Sequence, residues 1–387
     1  MTISEFLEDE IFFKSMFVDK SGIVKHIENT FEKYKRGLAL ISNETFLEEL
    51  NNQKVNINSF CENIISSLAH NQKGHIELAY SDFKRAMEIM KPSLFPEPTG
   101  KVTKIIGLHK PFYRARIGTN QPYSKGQMFH LPFSKREFAS TQRFSIPGLP
   151  CLYLSNSIYV CWEELDRPFI NTLHVSRFQQ ENLNLKILDM SLNVAEIKLR
   201  IRLNSEKEIQ NRDNYDYLIL FFLISWPLNF ICSLIVTNKN APFKHEYIFP
   251  QFLLQWVTFE KDVDGIKYFS VKSNSNNKDD YPQFMNYVFP PKKIDDGNYC
   301  SHLRKSFKLT DPISLEIFKI TDPNTIMINE DWLKNIKYKV IIDPIKLELI
   351  NGYPIFYQHT LFGKMELLTH NLEIDFLPED EMNINTN

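Results

Sequence analysis

Residues 218–236 read LILFFLISWPLNFICSLIV, nineteen residues without one charge. A run of that length is what a membrane-spanning helix needs. Pro227 and Asn229 would then sit near the middle of the bilayer, where a missing N–H and an unpaired amide are costly. The better expectation is a buried helix, a break at Trp226-Pro227, and a buried β-strand ending at IVTN. Burying such a run inside a protein requires a large core. With 387 residues, 43% of them hydrophobic and 31 of them phenylalanine, the chain can supply two or three domains with ample core. No membrane association is expected.

The formal net charge of −2 offers no basic face, so no nucleic-acid partner is expected. Five cysteines at 61, 151, 161, 232 and 300 form an odd set without CxxC or zinc-type spacing. Reduced thiols in a cytoplasmic protein are the natural reading. The start, MTISEFLEDEIFFKS, is acidic and lacks the features of a signal peptide.

The fold class expected is α+β, in three regions. Residues 1–91 read as helices: Thr2 and Glu5 form a capping box, and Val24, Ile27, Phe31 and Tyr34 keep helical spacing, as do Ala79, Phe83, Ala86 and Met90. Lys33, Lys35 and Arg36 read as a solvated helix face. KPSLFPEPTGK, with three prolines and a glycine, places a linker at 92–102. Residues 103–311 mix strand-like and helix-like pieces around a polar loop at 273–280. Residues 312–387 form a strand-rich extension, with Asn351-Gly352 between alternating apolar residues marking a tight hairpin.

The polar residues that stand out lie in the middle region. RFSIPGLPCLYLSNSIYVCWEELDRP, residues 143–168, brings Arg143, Tyr153 and the adjacent Glu163-Glu164 together among apolar residues. A core has no use for that set, whereas a pocket for an anionic, ring-bearing ligand does. Arg114 and Arg116 in KPFYRARIG read by themselves as solvated arginines on an edge strand. Lys244-His245-Glu246 has no second histidine at helical spacing, and no GxGxxG or Walker-type loop occurs. No metal ligand set is expected.

In order along about 200 residues come FYRAR, RFSIPG, PCLYLS, VCWEEL, SWPL, EYIFPQFLLQW and DGIKYFS. This order resembles the RES-domain family, named for an arginine, a glutamate and a serine. The resemblance covers about half of the chain. It implies a core similar to ADP-ribosyltransferases, no cofactor, and NAD+ as the substrate to be degraded. Several members look like toxins paired with an Xre-type antitoxin, and some use inorganic phosphate as co-substrate.

On that resemblance Glu164 is the candidate carboxylate, eleven residues after Tyr153. It would oppose the positive charge of an oxocarbenium-like ribose. Glu163 is the runner-up. The two point about 100° apart on a helix, so only one should face the pocket and the other be solvated. Arg143 and Arg114 would grip pyrophosphate oxygens. Tyr153 would stack and offer its hydroxyl to ribose or phosphate. Ser270 would bond the ribose or the carboxamide. The chemistry expected is phosphorolysis or hydrolysis of NAD+. ADP-ribosyl transfer to a macromolecule and a catalytically silent nucleotide-binding module are the alternatives. The regions outside the resemblance leave open an antitoxin or other regulatory partner, a trigger, and a homo-oligomer.

Overall fold

The structure is a computed structural model that describes residues 1–378 apart from 15, 43, 96–110, 119–122, 183–184, 196, 199–200, 202–211, 239, 271–283, 294–297, 315–317, 319–345 and 351. The expected polar loop at 273–280 and most of the expected linker lie outside the described residues.

The N-terminal region is helical. α1 (Ile3–Phe6) starts with the Thr2–Glu5 capping box. α2 (Ile11–Lys14), α3 (Ile23–Leu40), α4 (Leu47–Gln72) and α5 (Ile76–Leu94) follow. α3 buries Ile23, Ile27, Phe31, Tyr34 and Leu38, the stripe its spacing requires. α5 carries Pro92 in its last turn, so the helix runs into the segment read as a linker.

Next come β1 (Phe112–Ile117), α6 (Lys125–Met128), β2 (Leu152–Ser155), α7 (Ile158–Glu164), β3 (Leu173–Gln180) and β4 (Ile187–Met190). α8 (Arg212–Cys232) holds the apolar run as one helix straight through Pro227. The break and following strand expected there do not form. Beyond Cys232 only Ile235 pairs, in a single parallel bridge with Phe17. The reason lies far away in sequence. Pro227 has no N–H for the carbonyl of Leu223, and the hydroxyl of Tyr34 on α3 donates to that carbonyl instead. The Tyr34 ring also stacks on Trp226 at 4.3 Å. α8 joins α3, α4, α5 and α9 (Ile248–Phe259) in one apolar core. Among the described residues no helix is long and apolar enough to cross a membrane.

β5 (Gly265–Phe269), β6 (Met285–Phe289), α10 (Ser301–Ser306), β7 (Phe307–Thr310) and β8 (Ile313–Ser314) complete the middle region. β9 (Lys346–Ile350) and β10 (Tyr353–Phe356) pair as the expected hairpin, with Gly352 at φ 78° in the turn. Two elements after it were not apparent from the strand pattern. α11 (Leu361–His370) is capped by the Thr360 hydroxyl, which accepts from the Gly363 N–H, and packs against α7 and β3. β11 (Ile374–Asp375) pairs with β7.

Among the described residues the central sheet has nine strands in the order β11-β7-β3-β1-β2-β6-β5-β4, with β8 also on β3. Among the described strands of this sheet only β4 and β5 pair in parallel. β1 and β3 are in register along all of β1, from Phe112↔Phe178 to Ile117↔Leu173. β1 and β2, in contrast, meet at the single pair Tyr113↔Ser155. The sheet is therefore two ladders that part between β1 and β2.

Candidate functional site

One side chain bridges the parting. Arg114 on β1 sends Nη1 to the carbonyl of Tyr153 on β2 at 3.1 Å, beyond the point where the strands separate. Its Nε is buried without a hydrogen-bond partner. Burial pushes the Arg114 pKa down to about 10, which leaves it a cation at neutral pH. Arg116, partly exposed, does not lie on an edge strand. β1 lies between β3 and β2. Arg116 donates to the Gln127 carbonyl and lies 4.9 Å from the Tyr123 ring.

β2 leads directly into α7. Ser157 caps the helix by accepting from the Val160 N–H at 3.2 Å, and Glu164 is its last residue. The Glu164 carboxylate accepts two hydrogen bonds at Oε1. One comes from the Ser270 hydroxyl at 2.7 Å, the other from the Asn286 amide at 2.6 Å. Asn286 in turn accepts from the Ser155 hydroxyl at 2.6 Å. Ser270 follows β5 and is pinned by its own N–H to the Phe284 carbonyl. Two segments thus aim donors at one carboxylate, and a third, β2, holds one of those donors through Ser155.

Arg143 arrives from the loop before β2. It is buried, and its Nη1 donates to the carbonyl of Cys232, the last residue of α8, at 3.0 Å. Its Cζ lies 5.4 Å from the Tyr247 ring. Burial lowers the Arg143 pKa, while Tyr247, Cys232, Tyr268 and Glu164 act the other way. Arg143 and Glu164 therefore share one electrostatic neighbourhood. Burial, and after it Glu164, raises the Tyr268 hydroxyl pKa.

Tyr153 differs from expectation in one respect. Its hydroxyl donates to the Phe144 carbonyl at 2.8 Å, so it positions the loop that carries Arg143. Phe144 also sits 4.3 Å, ring to ring, from Tyr268.

Glu163 is not a solvated helix residue. It is only 3% exposed and forms a bidentate pair with Arg167, both bonds 3.0 Å. The two glutamates face different partners, as their 100° offset requires.

Asn286, Ser155, Tyr247 and Tyr268 were not singled out from the sequence. Asn286 had a usable signal, being the one polar side chain inside the apolar strand MNYVF. Ser155 ends LYLS in the same manner. The cysteines offer no nucleophile. All five are buried free thiols, and burial pushes Cys61, Cys151 and Cys161 up to about 12. Among the described residues no cluster of histidine, cysteine and carboxylate side chains could hold a metal ion.

Chemically, the site offers a carboxylate fixed by an alcohol and an amide, a buried arginine within its electrostatic reach, and a second arginine bridging from β1 to β2. Such a set suits a ligand that carries both positive and negative charge.

No family model matches the chain, and no solved structure matches it. It is 34% identical over 297 residues to a protein of Bacillus subtilis (strain 168) named "Putative toxin YopC". The match takes in 76% of this chain and 66% of that protein, so the chain spans about two thirds of the relative's length. In sequence, this chain is similar to a protein that bears a toxin's name.

Proposed function

We propose that the protein is an NAD+-degrading enzyme that acts as a toxin or defence effector in the cytoplasm. The observation that carries this reading is the carboxylate of Glu164, held by Ser270 and Asn286 beside the parting of the sheet, with Arg143 in its electrostatic field. The toxin part is supported by the name of the relative.

NAD+ fits the charges of that set. Its pyrophosphate is anionic and its pyridinium and adenine are flat rings. Its scissile bond joins ribose C1 to a positively charged nitrogen. When that bond breaks, its electron pair goes to the pyridine nitrogen and neutral nicotinamide leaves. Positive charge is left on the ribose. A fixed carboxylate stabilises this state most when it needs no reorganisation, and two donors to Oε1 hold it still. The nucleophile then adds to C1. Water gives ADP-ribose and one released proton; phosphate gives ADP-ribose 1″-phosphate. Arg143 and Arg114 bind the pyrophosphate in this account, and Ser270 orients the carboxylate in addition to any contact with the sugar.

Incubating the pure protein with NAD+, with and without inorganic phosphate, tests the proposal. Free nicotinamide in both conditions means hydrolysis. Nicotinamide that depends on phosphate means phosphorolysis. ADP-ribose attached to a protein or nucleic acid would move the reading to a transferase, and no turnover would leave a binding module.

A further inference from the structure

We infer that Glu163 and Arg167 form a clamp that fixes the direction of the Glu164 carboxylate, so that the paired glutamates divide the work of holding and reacting. The catalytic part of this inference rests on the function proposed above.

The clamp begins with backbone geometry. Helices commonly end in a residue of positive φ, and glycine usually supplies it. α7 ends without glycine. Asp166 at φ 60° and Arg167 at φ 55° are the only non-glycine residues of positive φ among those described. The Asp166 N–H donates to the Glu163 carbonyl and the Arg167 N–H to the Trp162 carbonyl, both at 3.0 Å. These two bonds make the Schellman closure, built here from residues that resist it.

Strain of this kind persists where surrounding contacts over-determine it. The contacts are present. The Arg167 guanidinium makes its two bonds to Glu163 and lies 5.5 Å from the Trp162 ring. The Trp162 Nε1–H donates to the Pro168 carbonyl at 2.9 Å. Glu164 lies between the two anchored halves, with 162 and 163 before it and 166 and 167 after it. Its backbone cannot rotate without breaking the clamp. Because Arg167 is committed to Glu163, its charge is answered there. Glu163→Gln is therefore no silent control for Glu164→Gln.

The test uses Arg167→Met, which keeps the stem and removes the guanidinium, and the same change combined with Asp166→Gly, which accepts the positive φ. Two readouts are taken on the full chain, with a thermal melt as the folding control. Amide hydrogen exchange of residues 163–167 reports the clamp whether or not the protein turns over NAD+. Arg167→Met should speed that exchange roughly tenfold or more. Nicotinamide release should fall in kcat by about a hundredfold, the effect of misplacing a reacting group by about 1 Å, with KM nearly unchanged because the arginines that bind substrate are untouched. Adding Asp166→Gly should restore part of kcat. If Arg167→Met does not fold, Arg167→Lys takes its place with a smaller effect in the same direction. Unchanged exchange overturns the clamp. Faster exchange with unchanged kcat, or with kcat/KM lost mainly through KM, overturns its role in positioning Glu164. A wild-type protein that releases no nicotinamide overturns the proposed function instead, and exchange alone then decides the clamp.

Discussion

Replacing Tyr34 by phenylalanine should destabilise the protein, and should do so far less once Pro227 is replaced by alanine. Phenylalanine keeps the ring that stacks on Trp226 and removes only the hydroxyl that serves the Leu223 carbonyl. Tyr34 and Leu223 are both fully buried, so the carbonyl has no water to turn to. An unpaired buried acceptor costs about 1–3 kcal/mol. Pro227→Ala returns an N–H four residues after Leu223, in place to close the helical bond. In that background the tyrosine hydroxyl becomes dispensable, and the cost of Tyr34→Phe should shrink by about 1 kcal/mol or more. The assay is urea unfolding of the wild type, both single variants and the double variant, read as a double-mutant cycle with slopes compared. Equal cost of Tyr34→Phe in the two backgrounds would refute the claim that this hydroxyl is what lets the helix run through its proline.

Other expectations follow from named contacts. His130 is buried and neutral: its Nε2 accepts from the Cys300 N–H, so Nδ1 carries the proton that goes to the Leu131 carbonyl. Burial lowers its pKa from 6.5 to about 4. The unfolded chain therefore takes up the proton first, and stability present above pH 6.5 is lost as pH falls toward about 4. The loss is about 3 kcal/mol, and urea midpoints across that window should flatten in His130→Gln. Gly118→Ala would place a Cβ 2.5 Å from the His174 ring and should cost about 1–3 kcal/mol in the same unfolding assay. Asn286→Ala removes one of the two donors to Glu164 Oε1 and strands the Ser155 hydroxyl. It should lower nicotinamide release about tenfold or more, from the roughly 1.5–3 kcal/mol carried by a hydrogen bond to a charged group; an unchanged rate would show that Ser270 alone suffices.

Local signals in the sequence were read well where local physics decides. The Thr2–Glu5 box, the stripe of Ile27, Phe31 and Tyr34, and the Asn351-Gly352 hairpin all depend on residues within a turn or two of one another. Pro227 does not end its helix because Tyr34, 189 residues before Leu223 in the chain, serves the carbonyl that the proline leaves unpaired. The region after the hairpin was read as strands because Phe362, Met365 and Leu368 were masked by the alternating pattern before them, although Thr360 stood ready as a cap.

The candidate residues came from the order of seven short motifs; in the structure Ser270 donates to Glu164, Arg114 to the Tyr153 carbonyl, and Tyr153 to the carbonyl of Phe144, the neighbour of Arg143. What they surround was not legible. The parting between β1 and β2 is a property of register, and register depends on partners distant in sequence. Asn286 reaches Glu164 from a strand 122 residues later. The role of Glu163 depends on Arg167 folding back through positive φ, which no propensity of Asp166 or Arg167 announces.

The central claim is that the fixed charge of Glu164 opposes positive charge on the ribose of NAD+. The measurement that bears on it most directly is nicotinamide release from NAD+ by the wild type and by Glu164→Gln, with binding of NAD+ followed in parallel. Glutamine keeps the shape and can still meet Ser270, so the fold should hold and binding through Arg143 and Arg114 should largely survive. Removing the charge should cost about 3 kcal/mol of transition-state stabilisation, or roughly a hundredfold in rate. A folded Glu164→Gln protein that releases nicotinamide at near the wild-type rate would contradict the account.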